Sequence, residues 1–159
     1  MSASIQFTEL LDYTEEEARR WREFFAKHPE AADLPLDIAG SVRALVAHIV
    51  GVELYFARLI SGATGVTPAP APGETLDQVF ASGEEATRLY RRFIGKAAPE
   101  DWHEKVELGR INVKASKRKL LTQALTHSMR HWAQISSYLR QQGFKQDWRH
   151  DFLVSKAME

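Results

Sequence analysis

The 159-residue chain contains no cysteine. That absence excludes disulfides, thiolate-ligated zinc and a cysteine nucleophile. A metal must therefore rest on His, Asp or Glu, and thiol chemistry must take its thiol from another molecule. An excess of charge is lacking too: 21 Lys and Arg balance 21 Asp and Glu. Proteins dedicated to nucleic acid usually carry a basic surplus, because neutralising phosphates supplies most of their affinity. No nucleic-acid partner is expected. No apolar run approaches the roughly 20 residues of a membrane span, so no membrane association is expected either. Met1 to Arg20 holds acidic residues where a leader would be apolar, and the expected location is cytoplasmic. No internal repeat is present.

What remains is a soluble globular composition, with 44% hydrophobic and 26% charged residues, long enough for one domain over residues 1–159 with a single core. Four helical patterns organise it. The first runs from about Ile5 to Lys27, with Phe7, Leu11, Thr14, Ala18, Trp21 and Phe25 at spacings of three and four. Glu15, Glu16, Glu17, Arg19 and Arg20 are expected mostly to face water. Ala31 to Ala39 reads as a loop. Ser41 is a natural N-cap for a second helix reaching Ile60, whose inward stripe is expected to include Leu45, His48, Val52, Tyr55 and Leu59. Ser61 to Gly73 is rich in Gly, Pro and Ala and cannot be helical. A connection this long between bundle helices implies a crossover or a mobile lid.

The third helix is expected from about Glu74 to Gly95, with Leu76, Val79, Phe80, Ala86, Leu89, Tyr90 and Phe93 inward and Gly83 at a close helix approach. Between Trp102 and Ser116, Val106, Leu108, Ile111 and Val113 alternate with polar residues about Gly109-Arg110, the pattern of a short hairpin. The fourth helix spans about Lys117 to Gln142 and stops at Gly143, with Leu121, Ala124, Ser128, His131, Ile135 and Tyr138 on one side. Beyond Phe144 an irregular tail is expected to pack on the outside.

His127 and His131 are four apart on that last helix, so their side chains share a face one turn apart. Two imidazoles so placed can ligate one ion. A zincin protease would need Glu directly after the first His; Ser128 stands there. A third ligand must come from another helix, and His48, within Ala44-Leu45-Val46-Ala47-His48-Ile49-Val50, is the best candidate. A histidine buried there needs a polar partner or a metal, since an unsatisfied polar group costs about 1–3 kcal/mol. Periodicity alone leaves a metal site and an ordinary hydrogen-bonded core cluster equally open.

Two stretches carry a resemblance to a family. One is Ser41 to Leu59 (SVRALVAHIVGVELYFARL) and the other Leu120 to Phe144 (LLTQALTHSMRHWAQISSYLRQQGF), with its His-x-x-x-His-x-x-Gln. They resemble the DinB/YfiT-like superfamily of metal-dependent proteins, over nearly the whole chain. The resemblance implies an all-α four-helix bundle with an up-down-down-up path and the long connection between helices two and three. It also implies a metal site on His48, His127 and His131. Where many relatives place Arg-Gly-Gln after the second helix-four His, this chain has Trp132-Ala133-Gln134, and only the Gln agrees. Zinc or nickel is the implied divalent ion, and a homodimer the implied assembly; the exposed-looking Trp132 and Trp148 are compatible with an interface, and packing within one chain explains them as well.

Three neutral imidazoles leave coordination positions open, the pattern of a catalytic site. Relatives include hydrolases and thiol-dependent transferases and isomerases. The expected function is a metal-dependent S-transferase or hydrolase on a small molecule, with metal-bound thiolate or hydroxide as nucleophile and a low-molecular-weight thiol as a candidate partner. The alternative is a noncatalytic stress-associated or ligand-binding bundle with a structural or incidental metal. The sequence offers no general base. Glu53 lies about 140° round the helix from His48 and is expected to point elsewhere; Tyr55 faces the same way as His48. Gln134 lies on nearly the same side as His131. His103 and His150 are expected in solvent, and Lys114, Lys117, Arg118 and Lys119 on a solvated surface.

Overall fold

The computed structural model describes residues 5–37, 39–73, 75–108 and 111–158. Four long helices carry the fold: α1 (Phe7–Lys27), α3 (Val42–Ile60), α4 (Leu76–Lys96) and α5 (Lys117–Gln141). The segment expected as plain loop is partly ordered. Pro29–Ala32 forms a one-turn helix, α2, with proline in its first turn, where a missing N–H costs nothing. Pro35–Leu36 (β1) then pairs with Gly40–Ser41 (β2). Ser41 caps α3 as expected, its Oγ accepting from Ala44 N at 3.1 Å. Thr75 and Gln78 form a capping box that opens α4; the expected start at Glu74 falls outside the described residues.

The expected hairpin is present. Lys105–Leu108 (β3) pairs antiparallel with Val113–Ser116 (β4), with Val106 opposite Ala115 and Leu108 opposite Val113. Its expected turn residues, Gly109 and Arg110, lie outside the described residues. Gly143 has φ +89°, which lets the chain leave α5 through a left-handed turn.

Two apolar clusters fix the helix directions. One joins Trp21, Phe24 and Phe25 of α1 with Val42 to Val50 of α3, Leu76 to Phe80 of α4 and Trp132 to Leu139 of α5. The other joins Leu11, Leu54 to Ile60, Ala86, Tyr90 and Leu120 to Leu125. The end of α1 thus meets the starts of α3 and α4 and the end of α5. The path is up-down-down-up, with α3 and α4 parallel. Parallel neighbours need a connection that returns the length of the bundle, which is why residues 61–73 are long. The connection is not free: Ala71 N donates to Ala47 O at 2.8 Å. It crosses α3 where Gly51 lacks a side chain, since a Cβ there would fall 2.2 Å from Ala69 O.

Several faces differ from expectation. The buried side of α3 is Val42, Leu45, Val46, Ile49, Val50, Gly51, Glu53, Leu54, Ala57, Leu59 and Ile60, with Leu45 and Leu59 inward as expected. His48 is exposed and Val52 and Tyr55 are half-buried, so the stripe is rotated from the expected one. Glu17, expected in water, is buried; its carboxylate accepts from Trp21 Nε1 at 2.9 Å, Trp148 Nε1 at 3.2 Å and His150 Nδ1. His150 is therefore half-buried rather than solvated, while His103 is exposed as expected. Trp132 is buried, stacked on Trp21 at 5.4 Å, and Trp148 meets Trp21 edge-on at 5.1 Å. Neither is an exposed aromatic. Among the described residues no helix is long and apolar enough to cross a membrane.

Candidate metal centre

Between the two apolar clusters the bundle has a polar cross-section. Thr14, Glu53, His127 and Ser128 are all buried there. On α5, residues 128, 132, 135 and 139 point into the core. Residues 127 and 131 are displaced towards α3, where His48 meets them across the groove. His127 Nε2 lies 3.2 Å from His48 Nε2 and 3.1 Å from His131 Nε2. One nitrogen from each of the three rings lies within 4.8 Å of the others.

This crowding fits a shared cation. An imidazole nitrogen has one in-plane site, either a proton or a lone pair. His127 Nε2 can hydrogen-bond only one of its two neighbours, leaving the other pair as an unrelieved polar contact. Ligands about 2.05 Å from one tetrahedral zinc are about 3.3 Å apart, close to both separations. Gln134 completes the arrangement on one side: His131 Nδ1 donates to Gln134 Oε1 at 2.5 Å, which leaves Nε2 bare to face the other rings. His127 Nδ1 is buried and has no partner among the described residues.

Electrostatics favour the neutral form of two of the rings. Burial, then His131, His48 and Arg130, push His127 down to about 4. Burial and His131 also lower His48. Neutral imidazole is the form that ligates metals. His127 is buried, His131 half-buried and His48 exposed, so the cluster opens to solvent past His48. The expected trio is thus brought together, with one change in reasoning. The apolar run around His48 implies a buried residue in need of a partner, yet His48 stands at the open edge of the site.

Behind the histidines lies a pair that the sequence did not suggest. Glu53 points away from His48 as expected, but into the core, where its Oε1 is 2.5 Å from Ser128 Oγ. Ser128 Oγ is also 3.0 Å from Ala124 O. One hydroxyl proton cannot serve both acceptors; a protonated Glu53 supplies the second. Burial pushes Glu53 up to about 7, with the Ser128 contact opposing. No local signal marks this pair, because its members are 75 residues apart.

A bundle with parallel second and third long helices and a three-histidine cluster on the second and fourth defines a class of proteins that could hold a metal ion. The DinB family model matches residues 1–155, and the chain belongs to the DinB family. It is similar in fold to a DinB-like protein, YjoA of Bacillus subtilis. That likeness has 19% identity and a TM-score of 0.60, covering 91% of this chain and 94% of the other. No curated protein matches the sequence.

Proposed function

We propose that the chain is a metal-dependent transferase or hydrolase acting on a small molecule, with zinc or nickel held by His48, His127 and His131. The observation that carries this reading is the approach of two Nε2 atoms to within 3.2 Å of a third, which hydrogen bonding alone cannot satisfy. A divalent ion there supplies Lewis acidity, acidifying a bound water or thiol and polarising a carbonyl. Gln134 fixes the tautomer and orientation of His131. Exposed His48 leaves a side open for substrate. Two turns further along the same side of α3, Tyr55 lines an apolar groove of about 630 Å³ with Leu59, Val66, Pro68 and Val106, which suits the apolar part of a substrate. With no cysteine in the chain, a thiol nucleophile would be a low-molecular-weight one.

The test is metal content per chain by mass spectrometry for untagged wild type and His127→Ala, followed by turnover screens with thiols and activated esters. About one ion per chain, lost in the variant, together with metal-dependent turnover, is the expected result. Metal without any turnover, with its removal lowering the melting temperature strongly, would favour a noncatalytic bundle. No metal in either protein after incubation with zinc and nickel would end the reading. Assembly as a homodimer, taken from the resemblance, is checked by sedimentation of the same samples.

A further inference from the structure

We propose that the cleft between α1 and α4 is a second small-molecule site, built for an amphiphilic carboxylate that carries a hydrogen-bond donor at its far end. The cleft measures about 430 Å³, within the range of about 300–1,000 Å³ usual for ligand sites. Its mouth lies between α1 and α4, and its floor takes Val50 and Glu53 from α3 and Trp132 from α5, but none of the three histidines lines it.

Two ion-pair straps bracket its mouth. At one end Arg22 of α1 reaches Asp77 at 2.5 Å and Glu84 at 2.7 Å on α4. At the other, Arg91 of α4 reaches Asp12 at 2.6 Å and Glu15 on α1. Between the straps the helices offer their small residues, Ala18 and Gly83. A Cβ on Gly83 would meet Val50 at an ordinary 3.5 Å, so the glycine is not forced by a clash. What its missing side chain leaves is the opening.

The polar groups lie at the two ends. Arg88 is exposed, lines the cleft, and has no ion-pair or hydrogen-bond partner among the described residues. Glu53 lines it from the core side, only 9% exposed. Its Oε1 is engaged with Ser128, while Oε2 is not among the buried atoms left without a partner and keeps access to the cleft. That oxygen is an acceptor whether or not the carboxyl is protonated. Val50, Phe80 and Trp132 supply apolar wall between these ends. An acceptor oxygen that reaches the cleft from an otherwise buried carboxyl is a site for a ligand donor. A carboxylate for Arg88, a flat apolar body for Phe80 and Trp132, and a hydroxyl for Glu53 complete the match.

The probe is 3-(4-hydroxyphenyl)propionate, titrated into the full chain and followed by NMR shifts and Trp fluorescence. The expected result is saturable binding, with 3-phenylpropionate weaker by about tenfold for want of its hydroxyl. Tyramine, which lacks the carboxylate, is expected not to bind. Arg88→Gln should weaken the probe by about tenfold. Gly83→Leu should abolish binding by filling the cleft, and Ala18→Leu should do the same from the opposite wall if the first variant fails to fold. His127→Ala should leave binding intact, so the cleft can stand even if the metal centre falls. No saturable shift at millimolar probe, tyramine binding as well as the acid, binding that survives a folded cleft-filling variant, or loss of binding in His127→Ala would each overturn the proposal.

Discussion

Replacing Glu53 with glutamine should make the protein more stable at alkaline pH. The carboxyl is buried among α3, α4 and α5, and burial raises it from 4.5 to about 7. A carboxyl raised in the folded state favours folding while it is protonated. Below pH 4.5 it is protonated in both states and costs nothing. Between 4.5 and 7 the unfolded chain releases its proton first, and stability falls as pH rises. Above 7 the loss is complete: 2.5 pH units at about 1.36 kcal/mol each is about 3 kcal/mol. The amide has no such cost, and its NH2 can donate to Ser128 Oγ while the hydroxyl donates to Ala124 O. Glu53→Gln should therefore exceed wild type by up to about 3 kcal/mol at pH 8–9, and the two should converge near pH 4.5. Urea unfolding from pH 5 to 9, with EDTA in every sample, reads this as a midpoint shift of about 1 M at the alkaline end. Contributions from other titrating groups cancel in the difference. A variant less stable than wild type by a constant amount at every pH would refute the argument. It would mean that the folded protein holds Glu53 ionised and satisfied.

Gly51→Ala should destabilise by about 2–3 kcal/mol although alanine is the better helix former, because the connection's backbone at Ala69 and Ala71 stands 2.2 Å and 2.7 Å from the new Cβ. Thermal unfolding checks it, and an unchanged or raised midpoint would mean that the connection packs elsewhere. Gln134→Ala should weaken metal binding by about tenfold by releasing His131 Nδ1; a competitive chelator titration that finds unchanged affinity removes the orienting role. Trp148→Ala should cost about 3 kcal/mol and expose residues beyond 144 to limited proteolysis, since its ring packs on Trp21 and its indole serves Glu17. Equal resistance to protease would show the tail held by other contacts.

The helices were legible because each carries its own evidence. Apolar spacing, Ser41 as a cap and Gly143 as a stop need no distant partner, and the alternation of Val106, Leu108, Ile111 and Val113 likewise marks the hairpin, although Ile111 falls outside its strands. The phase of α3 was not legible. Ala44 to Val52 is apolar nearly all round, so no polar face sets the stripe, and His48 was placed inward when it belongs at the groove edge. The three histidines meet all the same, since the groove between α3 and α5 brings their rings together. Glu17 and Glu53 were beyond reach of sequence spacing. Each is buried because of residues 75 to 133 positions away, Ser128 for one and His150 for the other. Trp132 looked exposed beside His131, yet one residue of helix rotation carries it from the groove to the core.

The tail that closes over Glu17 also couples the two ends of the chain. Tyr13 donates to His150 O across 137 residues, and Glu17 receives Trp148 and His150 across 131 and 133. One partner of Glu17, Trp21, is on its own helix, while the other two lie beyond α5 and reach the acid only once α1 and α5 have come together. A Glu17 carboxyl buried before those residues dock would keep only the Trp21 indole as partner, so packing of the inner face of α1 and docking of the tail favour each other. Loosening the tail is therefore felt at the first helix, and the segment after Gly143 acts as a strap across α1.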